Sequence, residues 1–261
     1  MSEPVIIVSK EGGIATVTLN RPEKLNALNR DLRGQFCRVM QELRADPKVG
    51  VVIITGAGRA FCAGLDLREL GAEGIREDGN ATFITVIEDM EVPVIAAVNG
   101  FAVTGGFELA LACDFLVAAD NAVLRCVEVT TAMLPIAGAL QRIAERAGRA
   151  RASRFAMLGE PISGHEAGAL GIATHVVPEK ELAATAAALV KQLVTGPTRS
   201  YAATRTLLKA WSSGGVAAAD LVMLDVAMEL YDGPDAQRGF ANTADAFNKD
   251  IEPPTLVFEG K

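Results

Sequence analysis

The chain has 261 residues, half of them hydrophobic and 22% charged, which is the make-up of a folded globular protein with a sizeable core rather than a disordered one. A formal charge of −7 argues against a broad electrostatic footprint for nucleic acid or an anionic membrane surface. No apolar run reaches the ~18–20 residues that a membrane helix needs.

From the N-terminus, "PVIIVSKEGGIATVTLN" holds two β-rich runs joined at Glu11-Gly12-Gly13, a hairpin signal. It follows the first residues with no signal pattern, so a reduced, cytoplasmic compartment is expected. "NRDLRGQFCRVMQELRAD" places Leu32, Phe36, Val39, Met40 and Leu43 at helical spacing, with Asn29 or Asp31 as cap. "GVVIITG" (Gly50 to Gly56) and "VPVIAAVNG" (Val92 to Gly100) are short continuous apolar runs, the mark of strands buried on both faces. "CDFLVAAD" and "AVLRCVEV" are two further strand candidates, and helical stretches lie between, notably Ala81 to Met90 and the run opening at Gly105-Gly106. The aperiodic, glycine- and charge-rich Gly71 to Asn80 reads as a mobile loop. After about Gly196, three Ala/Leu-rich helical runs divided by Gly and Pro follow with no strand between them. Their apolar face must cover the core or a neighbouring subunit. No fixed-period repeat stands out.

Four scattered cysteines (Cys37, Cys62, Cys113, Cys126) lack CxxC spacing and sit in apolar settings, as buried reduced thiols do. His165 and His175 have no cysteine or histidine beside them, so neither a zinc site nor a histidine-centred triad is expected.

Two stretches share one grammar of strand, glycine loop and helix: "GVVIITGAGRAFCAGLDLREL" and "VPVIAAVNGFAVTGGFELALACD". Glycines at a strand end allow backbone N–H groups to approach a ligand closely, although each could equally serve a turn. The spacing fits neither GxGxxG nor GxxxxGK[ST]. Two such loops could converge on one oxygen as an oxyanion hole. Glu108 falls in the first turn of the second helix, where a capping carboxylate is the plain alternative to a chemical role. Glu128 lies between Val127 and Val129, and alone it reads as an outward-facing residue on an edge strand. Two glutamates in apolar settings behind two glycine loops point to general acid–base work, with a reduced dielectric separating their pKa values.

These residues carry a resemblance. "RPEKLNALNRDL", "AFCAGLDLREL", "PVIAAVNGFAVTGGFELALACD" and "ISGHEAGALGIATHVVP" are similar, in order, to the hallmark segments of the enoyl-CoA hydratase/isomerase (crotonase) family, from about Val5 to the C-terminus. The resemblance implies an α/β fold, a spiral of ββα units over residues 1–196, with an all-helical segment over 197–261 that packs on the core and between subunits of a homotrimer or dimer of trimers. It implies that the Leu65 and Gly105 N–H groups hold the thioester oxygen, that Glu108 activates water and that Glu128 handles the α-carbon proton. Lys24, Leu25 and Ala27 would border coenzyme A, with Lys24 equally readable as a solvated surface lysine. Ala63, Asp66 and Leu67 would line the adenine and pantetheine path. The substrate would be an acyl-CoA or enoyl-CoA, with coenzyme A present only as part of the thioester, no metal or other cofactor required, and no nucleic-acid or membrane partner.

The pattern departs from hydratases in one place. They commonly read "PE" at the second glutamate and a "PGAGG"-like run after it, where this chain has "VE" and "PIAGAL". Ile136 and Ala139 thus replace glycines, and in the hydratases that the chain resembles the first of these positions helps to hold the catalytic water through its N–H. The expected activity is addition of water across the 2,3 double bond of an enoyl-CoA. The alternatives are an enoyl-CoA isomerase or other crotonase-type reaction, or an acyl-CoA binder with weak catalysis.

Overall fold

A computed structural model describes residues 4–73 and 82–258. Strands β1 (Ile6–Glu11) and β2 (Ile14–Leu19) form the N-terminal hairpin. Helix α1 (Arg30–Ala45) follows, capped by Asn29, whose Oδ1 accepts the Leu32 N–H at 3.0 Å. It buries Leu32, Phe36, Met40 and Leu43, the spacing legible in the sequence.

The centre is built of related units. In the first, β3 (Val51–Gly56) leads to β4 (Ala60–Cys62) and α2 (Leu67–Glu73), with α3 (Thr82–Glu88) after it. In the second, β5 (Val94–Val98) leads to β6 (Phe101–Val103) and α4 (Gly105–Ala112). In the third, β7 (Phe115–Ala119) leads to β8 (Val123–Arg125) and a 3₁₀ turn at Glu128–Thr131. The first strands of the units, β3, β5 and β7, are parallel neighbours in one sheet, and the second strands, β4, β6 and β8, in another. The units therefore step along in a ββα spiral. Val52 faces Val94 but Ile95 faces Phe115, so the chain between equivalent strands shortens by half from one step to the next. That uneven step is why no period appears in the sequence.

Helices α5 (Ala139–Ala147) and α6 (Arg149–Leu158), strand β9 (Ile162–Ser163), helix α7 (Gly164–Ala169), strand β10 (His175–Val177) and helix α8 (Leu182–Leu193) complete the core. Among the described residues the larger sheet has the order β1-β2-β3-β5-β7-β10 and the smaller β4-β6-β8-β9. The core lies between and around them. Helix α4 sits at its middle, and every side chain from Gly105 to Leu111 is buried. A helix buried all round must be apolar all round, which accounts for the "GGFELALA" composition and singles out Glu108, 2% exposed.

The C-terminal region comprises α9 (Thr198–Tyr231), broken where Gly214 and Gly215 leave the helical region, and α10 (Pro234–Asn248). Arg205 ties α9 to the core by pairing with Asp114 and donating to the Ile87 carbonyl at 2.7 Å. No side chain of α9 is buried, and Leu208, Leu221 and Leu224 are exposed.

Several expectations are corrected. The loops after β3 and β5 each contain a short strand, β4 and β6, too brief for their alternation to register. The strand expected over "AVLRCVEV" ends at Arg125, so Glu128 opens a 3₁₀ turn instead of lying on an edge strand. In the loop expected at Gly71 to Asn80, Gly71 to Glu73 close helix α2; the remainder, and Ala81 at the head of the next expected helix, lie outside the described residues. All four cysteines are free, with Cys62, Cys113 and Cys126 buried as expected and Cys37 only half-buried; no helix among the described residues is long and apolar enough to cross a membrane.

Candidate active site

The two glycine loops touch. Gly64, two residues beyond β4, lies against the chain that leaves β6: a Cβ on Gly64 would fall 1.5 Å from Thr104 Oγ1 and 2.8 Å from the Val103 carbonyl. Gly106 is pressed on the other side, where a Cβ would lie 2.1 Å from the Cys62 carbonyl. Only residues without side chains allow this approach. The loop is held in place by Leu28, which pairs with Leu65 in a parallel bridge. The Leu28 N–H donates to the Gly64 carbonyl at 2.7 Å, and the Asp66 N–H donates to the Leu28 carbonyl at 3.3 Å. This pattern engages the groups on either side of Leu65 and leaves the Leu65 N–H turned the other way. Gly105 is the first residue of α4, so its N–H has no intrahelical partner. Among the described residues neither amide has an acceptor.

Leu65 and Gly105 both border a cavity of about 140 Å³ whose walls also include Glu108, Glu128 and Ile136. Glu108 points into it from α4. Its Oε1 accepts the Ala137 N–H at 2.7 Å and the Ala139 N–H at 3.2 Å, so the loop before α5 wraps one carboxylate oxygen. Arg142 braces that loop by donating to the Ala137 and Gly138 carbonyls, both at 3.1 Å, while it pairs with Glu88. Glu128 enters from the 3₁₀ turn, and its Oε2 is buried with no partner among the described residues.

Electrostatics set the two acids apart from ordinary glutamates. Burial pushes the Glu108 carboxyl up, against the pull of the Ala137 and Ala139 amides and the Arg142 charge, and burial prevails. Burial also raises Glu128, the Glu108 charge adds to the effect, and its carboxyl is pushed up to about 6. Glu128 is thus able to carry a proton close to neutrality, while Glu108 holds two N–H donors that favour its ionised form.

Comparison with known proteins places the chain in a family. The family model described as enoyl-CoA hydratase/isomerase matches residues 9–239. The chain belongs to the enoyl-CoA hydratase/isomerase family. It is 39% identical over 184 residues to the Arabidopsis thaliana protein named "Probable enoyl-CoA hydratase 1, peroxisomal", covering 69% of each chain. It is 38% identical over 197 residues to the short-chain-enoyl-CoA hydratase of Clostridium acetobutylicum, covering 73% of this chain and 75% of that one. The crystal structure of an enoyl-CoA hydratase from Bacillus anthracis superposes with a TM-score of 0.87 at 28% identity, over 98% of this chain and all of the other (100%). The fold is that of the crotonases.

Within this cavity, Leu65, Gly105, Glu108 and Glu128 are brought together, and Ala63 and Leu67 also line it. Lys24, Leu25, Ala27 and Asp66 are not among its walls. Lys24 is exposed on a 3₁₀ turn. Leu25 and Ala27 run beside the 63–66 segment, with the Ala63 N–H donating to the Leu25 carbonyl at 2.9 Å. Asp66 engages Arg21 at 3.2 Å and the Arg68 N–H at 3.3 Å, so its carboxylate braces the start of α2 and the "KLNAL" segment. Sequence reasoning overlooked Asn26 and Arg142. Buried Asn26, held at φ 57°, donates to the Ala57, Ala60 and Phe61 carbonyls and ties the two segments together. The signal for Arg142 is its position four residues after Gly138, one helical turn from the loop it braces.

Proposed function

We propose that this protein is an enoyl-CoA hydratase, a lyase that adds water across the 2,3 double bond of an enoyl-CoA thioester. The observation that carries this reading is the convergence of two unengaged amides and two carboxyl groups with raised pKa values on one cavity. Ionised Glu108 removes a proton from water as its oxygen bonds to C3. The C2–C3 π electrons move toward the thioester, and the resulting enolate oxygen is held by the Leu65 and Gly105 N–H groups. The enolate collapses as Glu128 delivers its proton to C2. The proton gained by Glu108 and the one lost by Glu128 are exchanged with solvent before the next turnover. Every step uses the chain's own residues and the thioester as electron sink.

The rival is an isomerase, favoured by Ile136, which places a 43% exposed apolar side chain on the cavity wall where the hydratase pattern has glycine. Its N–H has no acceptor among the described residues, which supports a retained water site. A spectrophotometric panel of 2-enoyl and 3-enoyl thioesters of several chain lengths separates the two. Loss of the 2-enoyl absorbance with formation of the 3-hydroxy product is the expected result; interconversion of 2- and 3-enoyl isomers without hydration would overturn it. As part of the same reading, the exposed apolar side chains of α9 pack against neighbouring subunits in a homotrimer or a dimer of trimers.

The pH dependence follows from the two acids. Activity needs Glu108 ionised and Glu128 protonated, so kcat/KM declines as pH rises through about 6 and declines again on the acid side, where Glu108 takes up its proton. The two limbs belong to the interacting pair rather than to either residue alone. Glu128→Gln removes the alkaline limb and lowers turnover by ~10²–10⁴. Its stability effect has the opposite sign. A carboxyl raised by burial binds its proton more tightly in the folded state, so its contribution is full below the ordinary glutamate range and is lost as pH rises through about 6. Solvent reaches this half-buried group, so the loss is ~1 kcal/mol. Glu128→Gln should therefore melt ~2–4 °C higher than the wild type at pH 8 and close to it at pH 4.5. An unchanged melting temperature at pH 8 would remove the burial argument for Glu128.

A further inference from the structure

Thr104 is held in a conformation that threonine avoids. Its backbone has φ 49° and ψ −123°, a region that β-branched residues rarely enter. Both of its backbone groups are committed: the N–H donates to the Arg125 carbonyl of β8 at 2.8 Å, and the C=O accepts the Glu108 N–H at 2.9 Å. Those bonds impose the geometry, and glycine would meet it without strain. Thr104 also occupies the N-cap position of α4, where a threonine hydroxyl ordinarily accepts a helix N–H, yet it makes no such bond. Neither helix propensity nor capping accounts for the residue.

The side chain does have a definite place. Oγ1 lies where a side chain on Gly64 would begin, Cβ stands 2.9 Å from that same point, and the residue borders the catalytic cavity. Gly64 immediately precedes the Leu65 amide and Thr104 immediately precedes the Gly105 amide. The Thr104 side chain therefore stands between the segments that carry the two oxyanion donors. We propose that Thr104 is a positioning residue, a strut whose Oγ1 sets the separation of the Leu65 and Gly105 N–H groups. The backbone strain is the cost of placing a side chain there. This rests on the oxyanion reading above and adds to it the part that fixes the donor spacing.

The test compares Thr104→Gly, Thr104→Ala and Thr104→Ser. Thr104→Gly relieves the strain and removes the strut, so it should melt ~2–4 °C higher while kcat falls ~10–10²-fold and KM changes little. Thr104→Ala keeps the strained Cβ and loses the oxygen, so it should lose activity without gaining stability. Thr104→Ser restores Oγ and should recover kcat to within ~3-fold, small on the scale of a displaced catalytic group. A merely structural role would not move the second readout, the thioester C=O stretch of bound but-2-enoyl-CoA, recorded in a Glu108→Gln background so that the ligand is not consumed. The downshift on binding should shrink in the Gly and Ala variants and return with Ser. Wild-type kcat and an unchanged carbonyl shift in Thr104→Gly, or a Ser variant as impaired as Ala, would overturn the strut. Absence of any carbonyl downshift with Thr104 intact would overturn the oxyanion reading, and the strut with it.

Discussion

Glu108→Gln should lower turnover of an enoyl-CoA by ~10²–10⁴, the usual worth of a positioned acid or base, with substrate affinity retained. The geometry makes glutamine an informative substitution. One carboxylate oxygen of Glu108 accepts the Ala137 N–H at 2.7 Å and the Ala139 N–H at 3.2 Å, and the carbonyl oxygen of glutamine can accept both. The loop before α5 should therefore stay folded around residue 108, and the Arg142 brace on the Ala137 and Gly138 carbonyls is untouched. What is lost is the ability to take a proton from water. Glu108→Ala would confuse the two effects, because it leaves both buried amides without an acceptor at ~1–3 kcal/mol each. Steady-state kinetics on but-2-enoyl-CoA, with binding measured separately, checks the outcome. Full hydratase activity in Glu108→Gln would remove Glu108 from the mechanism.

Replacement of Gly64 by alanine should cost ~10²–10³ in kcat, the effect of losing one oxyanion donor. The new Cβ would meet Thr104 Oγ1 at 1.5 Å and the Val103 carbonyl at 2.8 Å, and Gly64 has φ +86°, a backbone conformation that disfavours a side chain. The Val103 contact is with backbone, which cannot rotate away. Relief must come by parting the loops that carry Leu65 and Gly105, and a hole with misplaced donors stabilises the enolate poorly. Gly105→Ala is the useful contrast. Its Cβ would sit 3.3 Å from a leucine methyl, Leu28 Cδ1, and 3.7 Å from the Gly64 Cα, contacts that a small adjustment accommodates. Only a larger residue at 105 should be severe. Kinetics beside a thermal melt separate catalysis from folding, and unchanged kcat in a folded Gly64→Ala protein would contradict the paired-loop geometry.

Much of the scaffold is legible in the sequence because its cause is local. The runs "VVII" and "VIAAV" are apolar throughout because β5 is buried on both faces and β3 is buried on one and half-buried on the other. Asn29 precedes a helical pattern and caps it. The two glycines at 214 and 215 divide what would otherwise be one long helix. Glu108 also announces itself, as a carboxylate in a helix with no polar face. Glu128 does not. Between two valines it resembles a strand residue, and its setting arises only because the chain leaves β8 at Arg125 and forms a 3₁₀ turn at the wall of the cavity that Glu108 also lines. Strands of three residues such as β4 and β6 escape notice for a related reason: their pairing is with distant chain, and three positions are too few for an alternation to declare itself.

By itself the sequence determined the layered α/β character, the apolar central helix with one acid in it, the glycine loops and the change to helix near residue 196. Each of these follows from side chains close together in the chain, through burial, periodicity or the absence of a Cβ. Only the tertiary structure decided that Gly64 abuts Thr104, that Ala137 and Ala139 reach back to Glu108, and that Glu128 shares its cavity. Those contacts join segments tens of residues apart, and their registers are set by the packing of β4, β6, α3 and α5 on α4, which no local pattern encodes.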